Sequence, residues 1–597
     1  MKKRLTTVIA VFLSLTFLML PGCSSKDSGA DGEDKTFSYW ISASEDSSYY
    51  ETYRDNPSVQ YLLDHTTYEN ENGEFNIDLE FIVPVTGSEE DNFNTLLATD
   101  EYADIMELSH YRGSIVELYE DGTILDLTEY VEKYMPNYKS WLDNNPENAL
   151  TATNTVDGEK KYLQLYSYID NVNDQYFCGF NYRRDWLVKY GTNPDNGSAF
   201  SGSFTAENPD GTPDPNSWED NVVFPSGGAH PVYISDWEWM FEIFTAAIQD
   251  QGINDGYCIS LYYPGYSETG DLVSAFGGSG SHWYKDKDDQ IQFGANSENF
   301  RVYLQAMSTW YENGWIDKAF TEHSSDMFFR IDDAKVRQGK VGLWIGSDTQ
   351  RLNTLDDPND PLLEGMMIFT ARQPINDIYG GAEQQNVEPY CMFQPTKEIS
   401  SFAVSDKAAE KDLPALFTFF DHMYSEEGSL LKMAGLSKEQ YEVSKNELYT
   451  KSGLTDGAYY WIDTEDGQKY QYDDIILADG GRLRSAIPAN RIFGLRMDLW
   501  AGREPLLQEM IDQWDYYPAT GNLPKSFTSQ LSAEDAKTFS KIELQVREFM
   551  NKNTPAFING SKDPFNDGDW DAFVDAVAKY SPDENTQIYQ NLLDQLK

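Results

Sequence analysis

Cysteine is nearly absent from this chain: there are 4 in 597 residues, and beyond Cys23 only Cys178, Cys258 and Cys391 remain. Three widely spaced thiols make no disulfide framework, and at most one pair can close. Cys178 and Cys258 stand in the strand-like aromatic runs QYFCGF and GYCISLYY, which marks them as small buried hydrophobes. Histidine is equally scarce, and the six residues at 65, 110, 230, 282, 323 and 422 never fall at the i, i+4 spacing of a helical zinc site. Positive charge is short too, with 45 Lys and Arg against 99 Asp and Glu and a net charge of −54. Such a surface repels nucleic acid, anionic lipid headgroups and polyanions, and it favours neutral or cationic ligands. There is no phosphate-cradling Gly-x-x-x-x-Gly-Lys loop and no Gly-x-Ser-x-Gly elbow. The nearest approach to a calcium loop is NPDGTPDPNSWEDN, residues 208–221, where Thr212 is a poor third ligand and Pro213 occupies the place of the turn glycine. No metal or cofactor is expected, and that stretch reads as a surface insertion rich in turn residues. A glycoside hydrolase needs only two carboxylates about 5 to 9.5 Å apart. With 99 acidic residues, the sequence neither locates nor excludes such a pair.

Long apolar runs are also missing, except at the start. Lys2, Lys3 and Arg4 precede an apolar stretch over residues 5–20 that is too short to span a bilayer comfortably. A basic start followed by a short apolar run reads as a signal peptide over residues 1–22. The run ends in Leu20-Pro21-Gly22-Cys23, which resembles the lipobox of bacterial lipoproteins. That resemblance implies acylation of Cys23, with palmitate-like chains, and a membrane-anchored protein on the extracytoplasmic face. Each buried methylene of an acyl chain adds about 0.8 kcal/mol to such anchoring. Residues 23–35 contain nothing large and apolar after the cysteine and read as a lipidated tether.

The chain is rich in aromatics, 14 Trp, 39 Tyr and 32 Phe, more than a protein this polar is expected to bury entirely. TFSYWIS (residues 36–42) reads as a strand, residues 58–65 as a short helix and FNIDLEFIVP (75–84) as a second strand. A helix over 89–99 then leads to YADIMEL (102–108), completing the strand–helix alternation of an α/β sheet with crossovers. Later helices are punctuated clearly. Ser235 and Glu238 suggest a capping box, Trp237, Met240, Phe241, Phe244, Ala247 and Ile248 fall on one stripe, and Gly252 closes it. In NSENFRVYLQAMSTWYENG the stripe is Phe300, Tyr303, Leu304, Met307, Trp310 and Tyr311, with Gly314 as the stop. A third helix is expected from Asp412 as N-cap to Gly435. Trp237 and Trp310 are therefore assigned to the core. In RRDW, Asp185 is expected in the first turn of a helix with Trp186 packed inward. Two insertion-like stretches stand out, at 193–231 and 437–479, the second with turn signals at Asp456-Gly457 and Asp466-Gly467.

Several phrases in order resemble the family 1 extracellular solute-binding lipoproteins of ABC importers, in particular the large oligosaccharide- and alginate-binding group. They are LDLTEYVEKYMPNYKSWLDNNPE, VDGEKKYLQLYSY followed by NYRRDWLVKYG, YENGWIDKAF, RQGKVGLW and DWDAFVDAVAKYSPDENTQIYQNLLDQL. The resemblance implies a two-lobed α/β fold of the type II periplasmic-binding-protein kind, with crossing hinge strands and extra helical and loop insertions. It places crossings near residues 162–181 and 390–404. Lobe 1 is expected over 36–162 plus about 390–445, and lobe 2 over about 163–389 plus about 446–597. The calcium loop of alginate-binding relatives is not carried over, because QDQGINDGYCIS lacks alternating acidic ligands.

Sugar-binding clefts pair flat aromatic faces with directional polar groups, so candidates are sought at strand ends. Trp40 ends the first strand, His110 and Tyr111 follow the third, Trp283 follows GGSGSH and Trp461 lies in the second insertion. The resemblance adds Tyr166 on the first crossing strand, and Trp344 and Asp348 near the end of VGLWIGSD, where relatives place a stacking Trp. The expected function is capture of an oligosaccharide in an interlobe cleft and its delivery to the permease subunits of an ABC transporter, by a monomer that is not an enzyme. The alternatives are a surface-anchored glycoside hydrolase and a glycan- or peptide-binding lipoprotein without a transport role.

Overall fold

The computed structural model describes residues 35–596 except 42–51, 86–87, 112, 171–177, 201–221, 262–271, 279–281, 323–332, 348–349, 352–354, 356–358, 390–397, 465–466, 473–490, 493–503 and 518–529. Cys23 with its tether, the core of the 193–231 insertion, Asp348 and Cys391 therefore lie outside the described residues.

Ten strands build two large sheets, each around its own apolar core. In chain order they are β1 (Thr36–Trp40), β2 (Asp78–Ile82), β3 (Ile105–Glu107), β4 (Leu165–Ile169), β5 (Cys178–Arg183), β6 (Tyr257–Ile259), β7 (Val341–Ser347), β8 (Ile368–Ala371), β9 (Glu398–Val404) and β10 (Arg491–Ile492). The first sheet has the order β10-β4-β9-β3-β1-β2, and the second β6-β7-β5-β8. In the first sheet β1, β2, β3, β4 and β10 run together and β9 runs against them. In the second, β6, β7 and β8 run together and β5 runs against them.

Directions and order fix where the chain changes sheets. It leaves the first sheet at the carboxyl end of β4, enters the second at the start of β5, and returns from the carboxyl end of β8 to the start of β9. A third passage follows β10, after which the next described helix packs on β5 and β8. The first two passages thus begin and end at the strand-end edges of the two sheets. Tyr441, Tyr449, Leu454 and Ala458 pack in the core of the first sheet. Within residues 446–458, expected from the resemblance in the second lobe, Tyr449, Leu454 and Ala458 thus share the core of the first sheet.

The helices used below are α1 (Glu89–Thr99), α2 (Pro136–Asn144), α3 (Ile234–Asp250), α4 (Glu298–Glu312), α5 (Leu413–Met423), α6 (Glu504–Trp514), α7 (Ala533–Ile558) and α8 (Pro582–Leu596). The stripe residues of α3 and α4 behave as their spacing predicts, with Trp237 and Trp310 fully buried. The α3 cap differs from expectation. Asp236, not Ser235, takes the backbone N–H groups of Ser226, Val232 and Tyr233, at 3.0, 2.8 and 3.0 Å. Ser235 instead donates from its N–H to Asp377, and Glu238 accepts from Trp310 Nε1 and the Tyr379 hydroxyl at 2.7 and 2.6 Å. From the third position of the helix the Asp236 carboxylate reaches back to the N-cap N–H of Tyr233 and to two loop N–H groups, while the serine is held by Asp377. Asp412 does cap α5, accepting from Ala415 N at 3.1 Å. That helix ends at Met423, and a separate one, Glu426–Ala434, starts with Ser425 as its cap. Asp185 sits in the first turn of helix Arg184–Tyr190, paired with Arg183 at 2.6 Å, and Trp186 points into the core. The second insertion contains the hairpin Tyr459–Thr464/Gly467–Tyr472, whose connection includes Asp466.

Candidate functional site

In open α/β sheets, ligands are taken at the carboxyl ends of the strands, where loops are free to carry polar groups. Here those ends are Trp40, Ile82, Glu107, Ile169 and Ile492 in the first sheet and Ile259, Ser347 and Ala371 in the second. The passages between the sheets leave from the same edges, so the two rows of strand ends are taken as the walls of a candidate interlobe site.

On the first wall, Glu107 is buried and its carboxylate accepts from Ser109 N and Oγ, at 3.0 and 2.7 Å, which fixes the turn that presents His110 and Tyr111. Both are half-buried. Tyr111 packs on Phe93 of α1 with ring centroids 5.9 Å apart and donates its hydroxyl to Ser114 O at 3.2 Å. Burial, with Glu117 and Asp121 adding to it, raises the Tyr111 phenol well above its ordinary value. Trp40 also meets Phe93, edge-on at 4.8 Å, and donates Nε1 to Asn92 Oδ1 at 2.9 Å. Trp40, Phe93 and Tyr111 therefore form one aromatic row beside the His110 turn. At the end of β4, Asp170 accepts from Trp141 Nε1 at 2.7 Å, and the Trp141 ring stacks on Tyr168 at 3.9 Å.

The second wall is shaped by α6. Its Glu509 accepts from Thr370 N on β8 and pairs with Arg351 at 3.1 Å. Arg351 also donates to Ile368 O at 2.8 Å and is 5% exposed, so helix and strand are joined through a dry ion pair. At the end of α6, Trp514 lies on Gly179 of β5. A β-carbon at Gly179 would stand 1.9 Å from Trp514 Cδ1, so no other residue fits there without moving the indole. Just past the helix, Tyr516 is 55% exposed and carries the Arg372 guanidinium over its face at 3.6 Å. Arg372 follows β8 directly and donates Nε to Gln513 Oε1 at 3.1 Å. Tyr517 packs edge-on against Tyr516 at 4.9 Å, and burial pushes its phenol up to about 12 although Arg372 pulls the other way.

Several of the candidate rings are buried in this structure. Trp344 is wholly buried with Tyr257, Val336, Leu355 and Ile368, and its Nε1 donates to Gln350 Oε1 at 3.0 Å. Trp283 is not in a free loop. It opens the strand Trp283–Lys285, packs on Phe293 and Phe539 at 5.1 and 6.1 Å, and donates Nε1 to Pro582 O of α8. Trp40 and Tyr166 are 1% and 4% exposed. The Tyr166 hydroxyl accepts from Gln164 Nε2 at 2.6 Å, inside the first core. The physical reason is shared: each ring has apolar neighbours on its faces and a partner for its polar atom, which is the arrangement that makes burying Trp or Tyr favourable. These four rings offer no free stacking face in this conformation. Trp461 is on a strand of the insertion hairpin, paired with Tyr470, and Asp348 is outside the described residues. Of the candidate set, Trp40 and Tyr111 share the neighbour Phe93, and His110 precedes Tyr111 in the same turn.

Arg372, Tyr516 and Trp514 were missed by sequence reasoning. The one available signal was the run QWDYYP at 513–518, aromatics just past an amphipathic helix. Among the described residues, no cluster of His, Cys, Asp and Glu has a geometry that could hold a metal ion, and no helix is long and apolar enough to cross a membrane.

The architecture is matched along nearly all its length by solved structures. The substrate-binding protein FusA of S. pneumoniae, in a complex of its EF-hand mutant, aligns with a TM-score of 0.63 at 16% identity, over 94% of this chain and 99% of that one. An extracellular solute-binding protein from Bifidobacterium longum subsp. infantis gives 0.61 at 15%, and the alginate-binding protein AlgQ2 gives 0.58 at 15%, each over 94% of this chain and 98% of theirs. The chain has the fold of the substrate-binding proteins of ABC transporters. The fold is the two-lobed α/β arrangement expected from the sequence. No family model matches the sequence, and no curated protein does. In the substrate-binding fold, the two rows of strand ends described above are the walls between which such proteins close.

Proposed function

We propose that this protein is an extracytoplasmic substrate-binding lipoprotein that captures an oligosaccharide between its two lobes and delivers it to an ABC transporter. The observation that supports the reading is topological: the chain changes sheets at the carboxyl ends of both, and exposed Tyr516 and half-buried His110 and Tyr111 follow elements at those ends. Two structural neighbours are described as complexes with fructo-nystose and kestose, and another is described as HMO-binding. A carbohydrate in this cleft would meet aromatic faces and hydrogen-bonding groups, the combination that sugars require. Lobe 1 comprises residues 36–169 and 398–492 and lobe 2 residues 178–371 and 504–596 in this proposal. Acylated Cys23 and the tether keep the loaded protein beside its transporter, raising its effective concentration there. Binding, not turnover, is the activity.

The test is a panel of neutral oligosaccharides screened by thermal shift and followed by calorimetry, with chromatography of each mixture after prolonged incubation. A ligand that binds the native state raises the melting temperature as RT ln(1 + [L]/Kd). Binding without cleavage supports the proposal. Cleavage products would replace it with a hydrolase, and failure to bind any carbohydrate would remove it.

A further inference from the structure

The Arg372–Tyr516 pair stands out in a chain with 99 acidic residues. Most of the described arginines find a carboxylate: Arg54 has Asp64, Arg183 Asp185, Arg301 Asp567, Arg337 Asp360 and Arg351 Glu509. Arg372 makes no ion pair among the described residues. Its contacts there are the hydrogen bond from Nε to Gln513 Oε1 and the stack on Tyr516. These two fix the plane of the guanidinium and leave its Nη edge without an acceptor among the described residues. Of the nearby carboxylates, Glu509 pairs with Arg351, Glu388, which bears on neighbouring Tyr517, pairs with Lys287 at 3.0 Å, and Asp512 accepts from Gln508 Nε2. A guanidinium held rigid from one side, just past the carboxyl end of a strand, is already arranged for bidentate pairing with a planar anion.

We infer that Arg372, seated on Tyr516, is a subsite for a carboxylate carried by the ligand, so that the captured oligosaccharide contains an acidic sugar. This rests on the reading that the cleft takes a carbohydrate and goes against what composition alone predicts. A net charge of −54 disfavours anions at long range. At physiological ionic strength the screening length is about 8 Å, so the charges within one residue of the ligand decide its binding. Tyr516 contributes an exposed aromatic flank beside the carboxylate, where the sugar ring that bears it can lie.

The test uses the full chain and matched probes: trigalacturonate, a triuronate of mannuronic acid and sialyl-lactose, each against its methyl ester, which removes the charge and keeps the shape. Calorimetry reads the affinity ratio of acid to ester for the wild type, Arg372→Lys and Arg372→Gln. Hydrogen bonds to charged groups predict a ratio of about ten or more for the wild type with at least one acid. That ratio should fall toward one in Arg372→Gln, be partly kept in Arg372→Lys, and shrink with added salt. An arginine with a purely structural role would lower acid and ester alike and leave the ratio unchanged, which overturns the inference. Equal binding of acid and ester by the wild type overturns it too. So does binding of the neutral panel with no binding of any acid, a result that leaves the proposed function standing. If neither neutral nor acidic sugars bind, both readings fall together.

Discussion

Replacing Glu509 by alanine should loosen the second wall of the cleft more than any surface change of the same size. Glu509 is one-sixth exposed and Arg351 one-twentieth, and their atoms approach to 3.1 Å. Arg351 also holds Ile368 O, while Glu509 takes the Thr370 N–H, so the carboxylate joins α6 to β8 by charge and by hydrogen bonds. Without it, the guanidinium is left in a dry site with one backbone acceptor. Breaking a buried pair from one side costs about 3–5 kcal/mol, because the remaining charge has lost its compensation. Units of 150–250 residues shift by about 2–4 °C per kcal/mol. Scanning calorimetry should therefore show the transition of the lobe containing α6 falling by about 6 °C or more. Arg351→Met combined with Glu509→Leu removes both charges and should recover a large part of that loss. The consequence for binding is specific, since α6 also carries Gln513 and Trp514 and leads into Tyr516. A shift below about 2 °C for Glu509→Ala, or a double variant no better than the single one, would refute the account of a dry, compensated pair.

Further tests bear on other parts of the chain. Asp421 of α5 caps α2, accepting from Asn137 N and Tyr138 N at 2.9 and 3.0 Å, and burial still pushes its carboxyl up to about 6. A raised folded value means that the site favours folding at low pH and loses that contribution as pH rises through about 6. The melting-temperature gap between Asp421→Asn and wild type should therefore widen in favour of the variant from about pH 4 to about pH 7, and a gap independent of pH would contradict it. Trp310→Ala empties a fully buried site packed on Phe241 at 5.0 Å and strips Glu238 of one donor, so a loss of about 3–5 kcal/mol is expected in urea unfolding. Cys23→Ser should move the protein from the detergent phase to the aqueous phase in phase partitioning, and retention in detergent would rule out the acyl anchor. A bound oligosaccharide should reduce the radius of gyration in small-angle scattering, and an unchanged radius would argue against closure of the lobes.

The fold was legible because its elements carry redundant local signals. The α3 and α4 stripes place large apolar residues every third or fourth position, and Gly314, at φ +76°, stops the second where its left-handed backbone ends the helix. Asp412 and Ser297 each cap the helix they precede, at 3.1 and 3.2 Å. The α3 cap was harder to read because Ser235 and Asp236 both fit a helix start, and only the positions of Ser226 and Val232 decide between them. Those residues come from the preceding loop, whose path no local pattern encodes. The attachment of residues 446–458 to the first core is of the same kind, a choice made by distant packing against α5 and its neighbours.

The site was legible only in part, and the reason lies in what an aromatic ring requires. Trp40, Trp283 and Trp344 each found an acceptor for the indole N–H, in Asn92, Pro582 and Gln350. Once that hydrogen bond is made, burial gains the full apolar surface of the ring and leaves nothing unpaired, so the core outcompetes a cleft for such residues. None of the three acceptors is adjacent in sequence to its tryptophan, so no local pattern reveals that these rings are buried. Tyr516 shows the converse. It follows a helix whose last turn places Trp514 against Gly179, and the exposed ring two residues on has found no comparable place in the core. Its face is covered instead by Arg372, a residue 144 positions earlier (516 minus 372) that arrives at the end of another strand. A cleft residue is thus marked less by its own type than by the absence of a core place for it. If that is right, Tyr516→Ala should cost less stability than Trp514→Ala and more ligand affinity than Trp344→Phe. Calorimetry of the three variants with a carbohydrate that binds the wild type distinguishes this ordering from its reverse.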